Sequence, residues 1–319
     1  MRLVVAGHKT RGAACLRALL DAGHVVAGVI GQPGAAPDRD PFLLLAFERQ
    51  LPVVSGEVNA PSTIASIGAL GPELIVLAGF GPIVGESFLA IAPHGCINLH
   101  AGRLPQYRGS SPLNWALING EASFTVSVIR VDRGVDTGPV LAERTSPVGP
   151  DDTIADLHRV ANDVFPQLLV QVVADIAAGS VRGRVQDECD AAYYPLRFPD
   201  DGLVVWDGLT ALQVHNRIRA LTTPYPGAFT YFGGRRVQLL RSRMTKRTYF
   251  GEPGRVYLRS ERALLVCAAD RCLWIVEASM ADDGSDAATA VRRYDKFLTL
   301  RDQAVALAMT RFQDAHRIA

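Results

Sequence analysis

Three side chains carry the chemistry this sequence can be asked about. Asn98 and His100 stand two positions apart at the end of the apolar run GCINLH, and Asp136 follows in the glycine-flanked loop VDRGVDTGP. If GCINLH is a strand, side-chain alternation puts the amide and the imidazole on one face while Ile97 and Leu99 pack on the other. The run TVSVIRV before Asp136 is expected to end near the same carboxyl edge of the sheet, so that the carboxylate reaches the imidazole. Together the three suit acyl transfer to an amine. His100, oriented and made more basic by Asp136, takes the proton of the attacking amine, and the Asn98 amide donates to the oxyanion of the tetrahedral intermediate. No covalent nucleophile is required. An isolated Asn-x-His is as readily a turn cap beside a satisfied histidine, so the surrounding chain must decide.

The elements that would position these residues follow a simple order. Short apolar runs alternate with helical patterns: RLVVAG before 10–22, HVVAGVIG before 41–50, LPVVS before 62–70, ELIVLAG before a turn region, then GCINLH. That alternation predicts an α/β fold, an open Rossmann-like and mostly parallel sheet covered by helices. Ligands of such sheets sit outside the carboxyl ends of the strands, which is where His100 ends its run. A long helical pattern covers 153–178. The length of 319 residues favours two domains. We expect a catalytic domain at 1–185, a Gly-, Pro- and Asp-bearing linker at 186–202, and a smaller C-terminal domain at 203–319. After a helix at 211–221, this last domain shows the strand-like runs GAFTYF, RRVQLLRSR, GRVYL, ALLVCA and CLWIVEA. They predict a mostly-β, barrel-like module of OB type. A final helical stretch is expected over 287–312.

Other chemistries find little support. Lys and Arg number 33 against 32 Asp and Glu, so polyanion binding would need a local patch. Five cysteines are scattered, most in apolar runs where a free thiol packs, which reads as a reducing cytoplasm; Cys267 and Cys272, flanking AADR, read as facing strands of a hairpin rather than a zinc clamp. No run of eighteen uninterrupted apolar residues occurs, so no membrane span is expected. The turn GHKTRGAAC lacks both the dinucleotide and the Walker patterns, because Ala13 and Ala14 stand where Lys and Ser/Thr would be needed. It reads as a tight strand-to-helix turn whose His8 and Lys9 could still touch a substrate. No histidine or cysteine spacing suggests a metal.

The longer stretch INLHAGRLPQYRGSSPLNWALINGE, followed by DRGVDTGPV, resembles the N-formyltransferases that use 10-formyltetrahydrofolate. The likeness is strong over 1–180 and continues to about 243. It is closest to the nucleotide-sugar branch, which includes the formyltransferase domain of bifunctional enzymes that modify UDP-linked aminoarabinose. The resemblance implies Asn98, His100 and Asp136 as the catalytic triad. It implies Phe80, Gly81, Ile83 and Val84, with Asp132, Gly134 and Val135, as walls for the folate's pterin ring. It implies no metal. His8, Lys9, Arg103, Tyr107 and Arg108 are the expected substrate contacts. The sequence departs from the family's commonest pattern, small-Ser-Leu-Leu-Pro, with Ala101, Gly102, Arg103, Leu104 and Pro105. The acceptor expected is a nucleotide-linked amino sugar, and the sugar branch allows a homodimer. The runner-up is a methionyl-tRNA formyltransferase, supported by the basic run GGRRVQLLRSRMTKR. Against it stands GQPGAAPDRDPF, where tRNA-specific members carry a basic insertion. Two other readings remain, a non-catalytic folate- or nucleotide-binding module and formylation of an amino-acid side chain.

Overall fold

The computed structural model describes residues 1–317. The chain opens with β1 (Arg2–Gly7), α1 (Lys9–Asp21), β2 (Val25–Gly31), α2 (Pro41–Glu48), β3 (Val53–Val54), α3 (Pro61–Ala69), β4 (Leu74–Ala78), α4 (Glu86–Leu89) and β5 (Cys96–His100). It continues with β6 (Arg108–Gly109), α5 (Pro112–Ile118), β7 (Ser123–Arg130), β8 (Val140–Pro147), α6 (Ile154–Ala177) and β9 (Tyr193–Tyr194). Local chemistry explains several starts. Asp40 accepts from the Phe42 N–H at 2.8 Å and Pro41 opens α2, a capped helix with proline where no donor is needed.

The first sheet runs β3-β2-β1-β4-β5-β7-β8. β1 pairs in parallel with both β2 and β4, and β4 in parallel with β5. The strand order therefore reverses at β1, which opens a crevice beyond the strand ends. Residues Val4, Ala6, Ile75, Leu77 and Phe88 form a buried core beneath it. α6 is long and apolar, but its buried positions, among them Leu157, Ala161, Phe165, Leu168 and Val172, recur at the spacing of one helix face, as in a core helix.

One expectation needs correcting. β7 is antiparallel to β5, with Ile97 opposite Arg130 and His100 opposite Ser127, so β7 ends beside the start of β5 and away from the carboxyl edge. The Arg130 N–H is bonded to the Pro139 carbonyl at 3.0 Å. Residues 131–138 are thus a hairpin excursion, and it is the excursion, not the strand end, that brings Asp136 back to β5.

The chain divides into two units. The first comprises Met1–Pro112, Ser123–Pro147 and His158–Leu196; the second comprises Leu113–Ala122, Val148–Leu157 and the chain from Arg197 onward. Residues 186–202 are not bare connection. β9 pairs in parallel with β6, Arg108 facing Tyr193 and Gly109 facing Tyr194.

The second unit holds α7 (Ala211–Leu221), β10 (Ala228–Phe232), β11 (Arg235–Met244), β12 (Val256–Arg259), β13 (Leu264–Cys267), β14 (Cys272–Met280), α8 (Ala287–Ala290) and α9 (Leu300–Arg317). Its five strands form an antiparallel sheet in the order β10-β11-β14-β13-β12, and they coincide with the five runs read from the sequence. The helical stretch expected over 287–312 is broken: 291–299 is non-helical, with a turn at 293–294 and Lys296 bridging to Arg255, and Val291 and Phe297 are buried there. Cys267 and Cys272, read as facing across a hairpin, do face each other in register across the β13–β14 hairpin and are joined as a disulfide, unlike the free thiols expected of a reducing setting.

Candidate active site

β5 delivers Asn98 and His100 to one face, and the 131–138 excursion delivers Asp136. His100 Nδ1 lies 3.4 Å from Asp136 Oδ2. The Asn98 amide Nδ2 lies 3.5 Å from Asp136 Oδ1. The Gly109 N–H donates to Asp136 Oδ2 at 2.9 Å. His100 Nε2 sits 2.6 Å from the carbonyl oxygen of Tyr107. A carbonyl can only accept, so Nε2 carries the hydrogen and Nδ1 is the nitrogen open to protonation.

These residues line a cavity of ≈ 410 Å³, whose walls also include 79–84, 109–112 and 129–138. Its size is that of a small-molecule site. Phe80 and Val84 are half-buried against the core. Ile83 and Val135 instead expose apolar side chains, 77% and 47% accessible. Asp132 folds its own loop by accepting from the Gly134 N–H at 3.0 Å and from the Thr137 hydroxyl at 2.5 Å. Gly138 makes the excursion possible, because a Cβ there would lie 1.8 Å from the Arg130 carbonyl oxygen. Asp136 itself adopts φ 55°, left-handed backbone that few residues besides glycine enter readily.

The five expected substrate contacts fare differently. His8 pairs with Asp40, and the Lys9 N–H donates to the same carboxylate at 3.0 Å, so this turn is tied to the cap of α2. Arg103 is exposed. Tyr107 and Arg108 do not face the cavity. The Tyr107 ring stacks on Tyr194, centroids 4.9 Å apart, and its contribution to the site is its backbone oxygen. Arg108 is fully buried and bonded on all three nitrogens. It donates to Glu188 at 2.6 and 2.9 Å, to the Tyr193 hydroxyl at 2.8 Å and to Gln186 Oε1 at 3.1 Å. Hydrogen bonding to Glu188 raises the guanidinium's pKa further and pulls the Glu188 carboxyl below its usual range. A group so engaged is structural.

The residue that sequence reasoning missed is Gln186. It lies in the segment read as linker, and no pattern marks it. Its Nε2 donates to the carbonyls of Asp136 and Gly138, each at 2.7 Å. Arg11 also lines the cavity and donates to Asn162 at 3.2 Å. Burial pushes the Cys15 thiol up to about 12, and that of Cys96, on β5, up strongly as well, so neither is a thiolate nucleophile. The arrangement offers an amide donor, a basic imidazole nitrogen and a carboxylate around one point, with exposed apolar side chains beside it.

Comparison with known proteins gives this arrangement its context. A family model described as Formyl transferase matches residues 1–173, and one described as Formyl transferase, C-terminal domain, matches 198–291. The methionyl-tRNA formyltransferase of Geobacter sulfurreducens is 34% identical over 287 residues, covering 88% of this chain and 89% of the relative. That of Solibacter usitatus is 35% identical over 284 residues, covering 87% and 90%. Among solved structures, the N-formyltransferase from Helicobacter canadensis in complex with folinic acid and dTDP-3-aminofucose superposes with TM-score 0.69 at 18% identity, covering 86% of this chain and 98% of that one. HypX from Aquifex aeolicus superposes with TM-score 0.62 at 18% identity, covering 88% and 46%. At those identities the structural likeness is one of fold. With a family model over more than half its length and relatives about a third identical along most of it, the chain belongs to the formyl transferase family and is a folate-dependent N-formyltransferase.

Proposed function

We propose that the chain transfers the formyl group of 10-formyltetrahydrofolate to the amino group of a nucleotide-linked amino sugar, with Asn98, His100 and Asp136 as the catalytic residues. The observation that carries the chemistry is their convergence on the cavity. Its lining suits the donor: a flat, amide-edged ring fits between apolar side chains such as Ile83 and Val135, and loop backbone at 79–84 and 131–136 can meet its polar edge. When bound, the folate supplies an electrophilic formyl carbon. The Asn98 N–H donates to the oxygen that gains charge as the amine attacks. His100 takes the amine's proton at Nδ1, since Nε2 is committed to Tyr107, and the new N–H faces Asp136. The tetrahedral intermediate then collapses by breaking the bond from the formyl carbon to N10, and tetrahydrofolate leaves with a proton on that nitrogen. Gly109 fixes the carboxylate that balances the imidazolium.

The acceptor reading rests on the loop between β2 and α2. It begins at Gln32, whose Oε1 accepts from the cavity-wall N–H of Gly81 at 2.9 Å, so it borders the site. It is short, its one cation, Arg39, sits against Asp38 at 3.7 Å, and Asp40 is used as a cap. Nothing there would follow a nucleic-acid backbone, and a few phosphates are the most this border would meet. Arg103 is the cation we assign to the sugar nucleotide's phosphate.

A second reading, a methionyl-tRNA acceptor, is favoured by the names of the 34–35% identical relatives and by the second unit. There Arg243, Lys246 and Arg247, with Tyr249 and Trp274, line a separate groove. The basic run is less free than its sequence suggests, because Arg235 pairs with Asp282 and Asp283 at 2.8 Å and Arg236 stacks over Phe229 at 3.7 Å. The test is a formylation assay with UDP-, dTDP- and GDP-linked amino sugars beside initiator Met-tRNA, for wild type and for R243E/K246E/R247E. Sugar formylation indifferent to the triple change supports the proposal. Formylation of the tRNA alone, lost in the variant and weakened about 1,000-fold or more between 50 and 200 mM salt, would replace it with the second reading.

A further inference from the structure

We infer that Gln186 is a positioning residue for the proton-transfer pair, acting on Asp136 from behind the site; the inference rests on the catalytic reading of Asp136. The excursion 131–138 must do something unusual. It leaves β7 at the wrong end of the sheet, returns to β5, and presents Asp136 in left-handed backbone with its carboxylate between Asn98, His100 and the Gly109 N–H. The loop's other bonds, Asp132 to Gly134 and Thr137 within it and the exposed pair of Arg133 with Glu86, do not reach the Asp136 backbone. Gln186 supplies the missing restraint, its two amide hydrogens going to the Asp136 and Gly138 carbonyls, both at 2.7 Å.

The amide cannot turn over, because its oxygen accepts from Arg108 Nε at 3.1 Å. Arg108 cannot move either. It is buried, its guanidinium bonded to Glu188 and Tyr193 and its backbone paired with β9. The residue after it is Gly109, whose N–H binds the Asp136 carboxylate. Asp136 is thereby gripped twice by one assembly, at its backbone through Gln186 and at its side chain through Gly109. Gln186 is itself buried, 6% accessible, and touches neither the cavity nor the other two catalytic side chains.

The test is a double-mutant cycle on the full-length enzyme. Gln186→Leu removes the clasp at similar volume, and Gln186→Glu keeps an oxygen for Arg108 while removing both amide donors. Misplacement of a catalytic group by about 1 Å costs roughly 100-fold. We expect each variant to lower kcat by about 10-fold to 100-fold, with KM for the formyl donor and for the acceptor unchanged. In an Asp136→Asn background the same changes should cost nothing more, because a positioning residue has nothing left to position. Loss of thermal stability with kcat of the folded fraction intact would overturn the inference, as would full multiplication of the two effects. An active Asp136→Asn enzyme would instead overturn the catalytic reading and the inference with it. If Gln186→Leu fails to fold, Gln186→Glu alone decides between these outcomes.

Discussion

The two sides of Asp136 are built to different tolerances. Toward the cavity its carboxylate stands 3.4 Å from His100 and 3.5 Å from Asn98, at the long end of what counts as a hydrogen bond. Behind it, Gln186, Arg108 and Glu188 are joined by contacts of 2.6 to 3.1 Å. Loose contacts leave an imidazole and an amide able to tighten on a substrate, since catalytic hydrogen bonds often shorten only when the ligand is bound. Tight contacts behind remove the freedom that would otherwise blur the geometry. The difference separates groups that change charge or partner from groups that must not.

The front should be costly to remove in rate and cheap in stability. His100→Ala or Asp136→Asn is expected to lower kcat by roughly 100-fold to 10,000-fold with an unchanged circular-dichroism spectrum; a near-wild-type kcat for His100→Ala would remove the histidine from the proton transfer. Asn98→Ala should cost roughly 100-fold to 1,000-fold in kcat with little change in folate affinity, and an effect confined to KM would make it a binding residue.

At the back, Gln186 should still cost rate as argued above, and it is Arg108, one contact further from the site, that should invert the pattern. Arg108→Met leaves Gln186 Oε1 without its donor, a loss of about 1–3 kcal/mol in urea denaturation. Its effect on kcat should be smaller than that of Gln186→Leu, because it acts one contact further away. Equal losses of rate and stability on both sides would erase the distinction.

The mildest test separates site from scaffold in acid. His158 is drawn down from 6.5 to about 4, first by burial and then by the charges of Arg11 and Lys9. The native protein therefore binds this proton less readily than the unfolded chain does, and stability is full above about pH 6.5 and declines as pH falls toward 4. His158→Gln should flatten the melting temperature across that window while leaving the neutral-pH rate alone; an unchanged slope would assign the acid loss elsewhere.

What could be read in advance follows from range of interaction. Alternation and apolar runs placed β1 to β5 and all five strands of the second unit, and the two-residue spacing of Asn98 and His100 placed them on one face, because these are local properties of the chain. The direction of β7 is not local. A strand reads the same in either orientation, so the route of 131–138 was hidden. Gln186 was hidden for a related reason: its partners lie about fifty and eighty positions away in sequence, across the β6–β9 pairing of two residues each, too short to leave a pattern. Arg108 was misread because a loop arginine looks alike whether it faces solvent or is buried against a carboxylate.

Gly102 bears on how such a site could be altered. A Cβ there would lie 2.7 Å from His100 Nε2 and 2.7 Å from the Tyr107 carbonyl oxygen, with Pro112 Cβ at 3.0 Å. A serine at this position therefore cannot be accommodated without a shift of its neighbours. Its side chain would wedge open the contact that fixes which nitrogen of His100 carries the hydrogen. An engineer placing any side chain there would have to displace the Tyr107 backbone in the same step or accept a misplaced imidazole. At Gly102, a single added carbon would therefore be felt at the imidazole of the site.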